Sequence, residues 1–337
     1  MRIAVNTRIL RNEHWYGKEY FLHDVVDHLC KRYPEHTFVL VSDGQPGDRL
    51  HEGAHVERVV LPPFGRSRWR RRRWMERRFP RALKEARADA WLSGDGYFSR
   101  RAAANGCMFI AGTGDILPAG YAAPPEKIIT ATPAAGSLFR PLDWKEREAV
   151  KTRYTDGKEY LICTAQNLSR AHFMDMLKAF SQLKKQLFSG MNLLLTGEMF
   201  RKVPFVEELL STYRYRKDVQ ITGYVSREEL AGLTAAAYAS LYPVCQQAHG
   251  LPVPEALQCG VPVVAASAAG SEKTGAGGVL YFDAGRPGEM GEQLCRLYKD
   301  EKWRAQLADR GIAYTDQYTL EAAAARIWKR LTELAAR

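Results

Sequence analysis

The strongest constraint on the fold is a strand-then-helix alternation that runs through the chain twice. Short apolar runs rich in β-branched residues alternate with segments whose apolar residues recur at helical spacing. Such alternation is typical of parallel sheets built from right-handed βαβ units. The series breaks near 141–143 and then starts again. The sequence therefore predicts an α/β protein with two doubly wound, Rossmann-like domains facing a cleft, over residues 1–142 and 143–318.

The predicted elements divide evenly between the two halves. The strands are Arg2–Asn6, Thr37–Ser42, Val56–Leu61, Ala90–Ser93, Met108–Ala111, Lys127–Thr130, Tyr160–Thr164, Asn192–Thr196, Val219–Thr222, Ala239–Tyr242, Pro262–Ala265 and Val279–Phe282. The helices are Glu19–Arg32, Ala171–Leu187, Phe205–Tyr213, Arg227–Ala236, Pro254–Cys259, Gly288–Lys299, Lys302–Tyr314 and Leu320–Ala336.

Composition places the chain among ordinary globular proteins. Apolar residues make up 46% and charged residues 26%, which excludes a disordered or fibrous chain. No apolar stretch reaches the ~20 residues of a membrane-spanning helix. The start of the chain lacks the apolar core of a signal peptide, and the six cysteines contain no CxxC pair. We therefore expect a cytoplasmic protein with reduced thiols.

One segment, 241–265, carries chemistry that the alternation alone does not explain. It reads LYPVCQQAHGLPVPEALQCGVPVVA. A strand ends near Pro243, a glycine-containing loop follows, and a helix opens near Leu251-Pro252. Free N–H groups at such a helix start form an anion site at the edge of a sheet. Glu255 lies in the first turns of the helix, where a carboxylate can accept hydrogen bonds from ribose hydroxyls.

This segment resembles the donor-site signature of the family 4 glycosyltransferases, which are retaining enzymes with two Rossmann-like domains (the GT-B fold). The family pattern is E-G-F-G-L-P-x-x-E-A-x-x-x-G-x-P-V. The matching residues are Gly250, Leu251, Pro252, Glu255, Ala256, Gly260, Pro262 and Val263. Further similarity lies in 1–8 with Gly17, in 125–128, in 139–142, and in the nucleobase-loop segment 219–226.

The resemblance implies transfer of a sugar, with retention, from a UDP- or GDP-linked donor to a saccharide or lipid-linked acceptor. It implies no separate cofactor and no metal. Glu255 would hold the ribose, and the backbone amides of Gly250, Leu251 and Pro252 would hold the phosphates. Gln247 and His249 would contact the sugar, with Gln247 and Glu255 as the catalytic pair. The helix at 319–337 is expected to cross back to the N-terminal domain.

Several residues depart from the family pattern, and they fall at functional positions. Gln247 replaces the first glutamate of the E-x7-E pair and loses its negative charge. Ala171 stands at the usual lysine of the diphosphate clamp. Cations that could reach a diphosphate by another route are Arg170, Arg201 and Lys202, the last two after Gly197.

The acceptor side departs as well. It would include Gly17 and Asp115, but the histidine that the family places beside such an aspartate is missing. The segment that follows is also shortened. The alternative function is therefore a catalytically inactive glycosyltransferase-like protein that binds a ligand or acts as a scaffold.

Most of the net charge of +11 comes from one arginine-rich segment. Between Arg66 and Arg87 lie ten arginines and one lysine against two glutamates, which leaves about +2 for the rest of the chain. At helical spacing, one side collects the apolar residues Trp69, Met75, Phe79, Ala82, Leu83 and Ala86, with Trp74 among the arginines. The segment is either a solvated helix face or, over Arg66–Arg81, a contact with an anionic membrane surface. Nucleic-acid binding is not expected, because no recognised nucleic-acid-binding fold accompanies the segment.

Overall fold

The chain forms two compact units, Met1–Ala134 with Tyr318–Arg337, and Ala135–Gln317. The computed structural model describes residues 1–11, 15, 17–44, 53–64, 67–103, 105–111, 123–131, 134–164, 168–244, 251–267, 277–286 and 288–336.

Strands and helices alternate along both units. The strands are β1 Arg2–Asn6, β2 Thr37–Ser42, β3 Val56–Val60, β4 Ala90–Ser93, β5 Gly106–Ala111, β6 Ile128–Ala131, β7 Tyr160–Cys163, β8 Asn192–Thr196, β9 Val219–Gly223, β10 Ala239–Tyr242, β11 Val263–Ser267 and β12 Val279–Asp283. The helices are α1 Gly17–Arg32, α2 Arg68–Arg73, α3 Phe79–Glu85, α4 Trp144–Thr155, α5 Arg170–Leu187, α6 Met199–Lys202, α7 Pro204–Ser211, α8 Arg227–Ala235, α9 Pro252–Gln258, α10 Glu289–Lys299, α11 Glu301–Thr315 and α12 Leu320–Ala335.

The first unit contains a parallel sheet in the order β3-β2-β1-β4-β5-β6. Its central strands are apolar and buried, whereas the edge strand β3 is partly exposed. Helix α12 packs against α1 and against β4, β5 and β6 of this unit. On α12, the Trp328 ring stacks on Tyr33 with ring centroids 3.9 Å apart and on His36 at 5.1 Å. These contacts attach the end of the chain to the first unit.

The second unit contains a parallel sheet in the order β12-β11-β10-β7-β8-β9. Counted from its own first strand β7, this is the same 3-2-1-4-5-6 order as in the first unit, which is that of Rossmann folds. Helix α5 shows why such segments become helices. Ser169 caps its first turn, and the residues Phe173, Met176, Leu177, Phe180 and Leu183 form one buried stripe.

The predicted α/β class with two doubly wound, Rossmann-like units is confirmed. Every predicted strand is present, with its ends shifted by two residues or fewer. Helix α4 was not predicted, because its residues carry charge on all sides and no apolar stripe.

The first unit ends eight residues before the predicted boundary at 142. Ala135 and Phe139 are buried in the core of the second unit. The Gln258 side-chain amide of α9 donates hydrogen bonds to the carbonyls of Gly136 and Phe139, at 3.2 and 2.7 Å. These contacts assign the connecting segment to the second unit.

The arginine-rich segment is helical, and Met75, Phe79, Ala82 and Leu83 of its predicted apolar side are buried. The prediction is wrong for its two tryptophans. Trp74 is fully buried, whereas 66% of Trp69 is exposed. A π-helical turn at Trp74–Arg78 causes the change, since it adds a residue to the turn and shifts which side chains face the core. Within it Phe79 donates its N–H to the Trp74 carbonyl, and the two rings stack with centroids 5.4 Å apart. The wider turn also relieves the clash that Pro80 would cause in a regular helix.

Five cysteines lie in the part of the chain that the structure describes; all are buried, and none of them forms a disulfide. Burial raises the pKa of the Cys30 and Cys107 thiols to about 12 in each case. Among the helices of the described ranges, none is both long and apolar enough to cross a bilayer.

Candidate functional site

The carboxyl edge of the second sheet contains the point where the strand order reverses. Strands β7 and β10 are neighbours there, and the chain continues from them toward opposite sides of the sheet. In doubly wound sheets, ligands bind in the crevice at such a point. Helix α5 begins after β7, and α9 begins after β10. The two segments that carry predicted site residues therefore leave the sheet at the same place.

Glu255 is a buried carboxylic acid near the start of α9, with only 5% of the residue exposed. Its N–H donates to the Leu251 carbonyl at 2.9 Å, and its carbonyl accepts from the Cys259 N–H at 3.2 Å. Burial and the Glu255 charge together raise the pKa of the Cys259 thiol. The side chain thus places a carboxyl group in a shielded position at the edge of the second sheet.

The start of α9 offers fewer backbone donors than the sequence pattern suggests. Pro252 and Pro254 lie within its first turn and carry no N–H. Pro252 therefore cannot donate to a phosphate as expected. The available donors in the described part of this turn are the amides of Leu251 and Val253. Pro252 instead sets the helical backbone angle at the first position, where proline is favoured.

Arg170 is the first residue of α5, and its guanidinium is already engaged. It donates two hydrogen bonds of 2.6 Å to the two carboxylate oxygens of Glu208 on α7. This pairing raises the pKa of Arg170 and lowers the pKa of the Glu208 carboxyl. Both side chains are about half exposed, so water competes with the pair. Glu208 therefore occupies two of the five N–H donors of the Arg170 guanidinium.

Arg201 lies against Gly223 at the end of β9. The Gly197 N–H donates to the Gly223 carbonyl at 2.8 Å, which joins the β8 and β9 ends of the sheet. A side-chain carbon at Gly223 would lie 2.8–3.0 Å from Arg201 side-chain atoms, and Gly223 also has a positive φ of 76°. The glycine therefore makes room for the arginine. Lys202 pairs with Glu198 at 2.8 Å on the exposed surface.

The structure thus places Leu251, Glu255, Arg170, Gly197 and Arg201 along one edge of the second sheet, at the ends of β7, β8 and β10. Gly17 is the first residue of α1 in the first unit. Four predicted site residues, Gln247, His249, Gly250 and Asp115, lie outside the described residues.

The carboxyl edge of the first sheet holds a buried polar network that no sequence motif predicted. Asp95, after β4, accepts hydrogen bonds from the Asn6 amide at 3.0 Å, from Arg8 Nε at 2.9 Å and from the Tyr97 N–H at 2.9 Å. The Ser93 hydroxyl donates at 2.9 Å to Asp95 Oδ1, which is also the acceptor of the Tyr97 N–H, whereas Asn6 and Arg8 donate to Oδ2. The signal that could have found it is the placement of polar residues directly after apolar strands.

A family model described as glycosyl transferases group 1 matches residues 145–314, just over half of the chain. The chain belongs to this family. The matched region runs from α4 to α11 within the second unit and includes Glu255 and the cations along its sheet edge.

Individual proteins are similar over different lengths. Over 199 residues the chain is 25% identical to O-antigen chain mannosyltransferase B of Escherichia coli, covering 59% of this chain and 52% of that protein. The chain therefore spans about half the length of this curated relative.

Two solved structures cover nearly the whole chain. A sucrose-phosphate synthase from Thermosynechococcus elongatus superimposes with a TM-score of 0.77 at 14% identity, over 99% of each chain. Anabaena HepE, in complex with UDP and glucose, has a TM-score of 0.70 at 16% identity, over 99% of this chain and 100% of its own. At these identities the likeness establishes the fold of the two units.

Proposed function

We propose that the protein transfers a sugar from a nucleotide-diphosphate sugar, with retention of configuration, to a saccharide or lipid-linked acceptor. The observation that carries this proposal is the family match over 145–314, because it includes the buried Glu255 at the strand-order reversal. The Anabaena HepE structures that contain UDP with glucose, or UDP-glucose, favour a hexose donor of this kind.

In this proposal Glu255 accepts hydrogen bonds from the ribose hydroxyls, and the Leu251 and Val253 amides face the phosphates. Arg201 and Lys202 offset the diphosphate charge, and Arg170 joins them when it leaves Glu208. Gln247 and His249 contact the sugar. Positioned donors and cations of this type stabilise charge that develops as the sugar–phosphate bond breaks.

Calorimetric titration of the full chain with UDP, GDP, UDP-glucose and GDP-mannose tests the donor site. We expect at least one of these nucleotides to bind. Glu255→Gln should weaken its binding at least about tenfold, because a charge-assisted hydrogen bond is worth about 1.5–3 kcal/mol. Glu292→Gln is the matched control, since Glu292 is exposed on α10 and this substitution removes the same charge. A folded protein that binds none of them below millimolar concentration would contradict the proposal.

The alternative function, an inactive binding or scaffold protein, rests on Ala171 and Gln247. At position 171 the alanine side chain supplies no cation to the start of α5. The two functions differ in turnover. Nucleotide-sugar binding without transfer or hydrolysis, across a panel of saccharide and lipid acceptors, would favour the alternative. In that case Ala171→Lys combined with Gln247→Glu should raise donor affinity.

We also propose that the arginine-rich helix makes peripheral, reversible contact with an anionic membrane surface. Trp69 is exposed, and its neighbours Arg70, Arg72 and Arg73 are exposed around it. The Arg73 guanidinium lies 5.5 Å from the centre of the Trp69 ring. An exposed tryptophan among arginines suits the interface between lipid headgroups and water.

Vesicle co-sedimentation tests this contact. Binding should rise with phosphatidylglycerol content, weaken with salt, and fall at least about tenfold in Arg72→Gln/Arg73→Gln. The control is Arg326→Gln/Lys329→Gln, which removes the same charge from the exposed face of α12. Equal binding to anionic and neutral vesicles would contradict the proposed contact and indicate that the arginines form a solvated helix face. Salt-sensitive binding to duplex DNA alone would indicate a nucleic-acid partner instead.

A further inference from the structure

Three arginines converge at the carboxyl edge of the first sheet. Arg8 and Arg11 are the first and last residues of a 3-10 turn that follows β1. Side chains three residues apart in such a turn lie above one another on the same side. Arg71 belongs to α2, which begins after β3, so its helix starts at the same edge.

Arg8 is held between two aromatic rings and a buried acid. Its guanidinium lies 4.1 Å from the centre of the Phe64 ring and 5.0 Å from that of Tyr97. Arg8 Nη2 lies 2.8 Å from the carboxylate of Asp95, and only 13% of the arginine side chain is exposed. Acid and rings together fix the direction of the guanidinium.

The other two arginines are connected to the same rings. Asp43 accepts from Arg11 Nη1 at 2.6 Å and from the Phe64 N–H at 2.8 Å. Arg71 Nη1 donates to the Tyr97 hydroxyl at 3.3 Å. Arg11, Arg8 and Arg71 are therefore joined in one cluster through Phe64 and Tyr97.

Among the residues that the structure describes, the positive charge of this cluster is not balanced. Asp43 and Asp95 offset Arg11 and Arg8, which leaves Arg71 and the exposed arginines of α2. No acidic residue lies in the first turn of α2. The Arg11 side chain remains 38% exposed, and its hydrogen bonds to the described residues run through Nη1, to the carboxylate and the carbonyl of Asp43.

We propose that this cluster of Arg8, Arg11 and Arg71 binds a phosphate group carried by the acceptor. The inference rests on the proposed function, since it names the chemical class of the acceptor. Guanidinium groups bind phosphate oxygens through paired hydrogen bonds, and the buried acids hold two of these groups in place before the ligand arrives. The phosphate belongs either to a lipid carrier or to a soluble sugar phosphate.

Calorimetry with defined probes tests the inference on the full chain. The probes are geranyl phosphate with geraniol as its neutral partner, and glucose 6-phosphate with glucose. We expect at least one phosphate probe to bind at least about tenfold more tightly than its neutral partner. Binding of geranyl phosphate alone assigns a lipid carrier, binding of glucose 6-phosphate alone assigns a soluble acceptor, and binding of both assigns recognition to the phosphate.

Two single variants connect the binding to the cluster. Arg11→Gln and Arg71→Gln should each lower the affinity for the phosphate probe about fivefold to tenfold, whereas Arg326→Gln should change that affinity less than twofold. Arg71→Gln is the safer variant, because Arg71 donates to the neutral Tyr97 hydroxyl, so the substitution takes no cation from Asp43 or Asp95. Urea unfolding of each variant confirms that it is folded.

Nucleotide titration of the same variants separates the two hypotheses. Loss of phosphate-probe affinity with unchanged nucleotide affinity supports the inference. In another outcome the protein binds the phosphate probe, loses that binding in Arg11→Gln and Arg71→Gln, and binds no nucleotide. That result would support the phosphate site in the first unit and contradict the proposed donor site. Equal affinity for charged and neutral probes, or an equal effect of Arg326→Gln, would overturn the inference.

Discussion

The two sheets share one strand order, but their carboxyl edges use charge in different ways. In the first unit, Asp95 and Asp43 are buried and hold Arg8 and Arg11 in fixed positions. In the second unit, the pairs Arg170–Glu208 and Lys202–Glu198 lie at the surface. Topology places both sites at the same edge of each sheet. The residues that follow each strand decide whether the cations are held rigidly or can turn toward a ligand.

Removing the central acid of the first edge should give the largest effect. Asp95→Ala leaves Arg8 without its buried partner and should lower the free energy of unfolding by about 3–5 kcal/mol. Urea denaturation measures the change. Asp175→Ala, which breaks the exposed pair with Lys178, is the control and should leave the unfolding curve near that of the wild type. Similar losses of unfolding free energy in both variants would show that the buried pair is no more stabilising than the surface pair.

A methyl group at Gly223 should affect the second edge more moderately. Gly223→Ala imposes a positive φ on a residue with a side chain, which costs about 1–2 kcal/mol, and it pushes Arg201 away from the sheet edge. Urea denaturation should show the destabilisation, and calorimetry should show weaker nucleotide binding. Gly190→Ala is the control, because open space surrounds Gly190. Unchanged nucleotide affinity would exclude Arg201 from the donor site.

The Cys259 thiol should report the charge of Glu255. The carboxylate disfavours the thiolate and contributes to the raised pKa of Cys259, so Glu255→Gln should lower that pKa. Alkylation of Cys259 at alkaline pH, followed by mass spectrometry, should then be faster in the variant. Cys107, whose thiol lies in the first unit and has a pKa raised to about 12 mainly by burial, is the internal control. Equal acceleration at both cysteines would indicate loosening of the fold.

Releasing Arg170 should have the smallest effect on stability. Glu208→Gln removes a surface partner, so the unfolding curve should not move measurably, because water already competes for the pair. Nucleotide affinity should rise if the released guanidinium turns toward the diphosphate. A fall in affinity, measured by the same titration, would place Arg170 outside the donor site.

Local patterns were sufficient for the strands but not for every helix. Buried parallel strands read as short apolar runs because helices cover both sheet faces, and β8 is an example with all five residues buried. Helix α4 has no apolar stripe, but Asp143 and Glu146 form a capping box that marks its start. That pair is visible in the sequence, so capping residues would have found the helix that periodicity missed.

Helical periodicity also failed where the helix itself changed its pitch. The π-helical turn at Trp74–Arg78 buried Trp74 and left Trp69 exposed, although both stand in the same arginine-rich run. Packing of Trp74 against Phe64 and Phe79 stabilises this arrangement, and Phe64 lies ten residues earlier in the chain. A fixed angle of rotation per residue cannot anticipate a contact of this kind.

The sequence by itself determined which segments form strands, and it contains the family motif. It also fixes the positions of Glu255 and the arginines along the chain. Only the tertiary structure decided which charges meet. Asp95 and Arg8 are 87 residues apart in sequence, and Asp43 and Arg11 are 32 apart. They meet because β1 pairs with both β2 and β4, so residues that follow these strands emerge side by side at one edge. Pairing between distant strands is set by the packing of the whole sheet, and no local pattern encodes it.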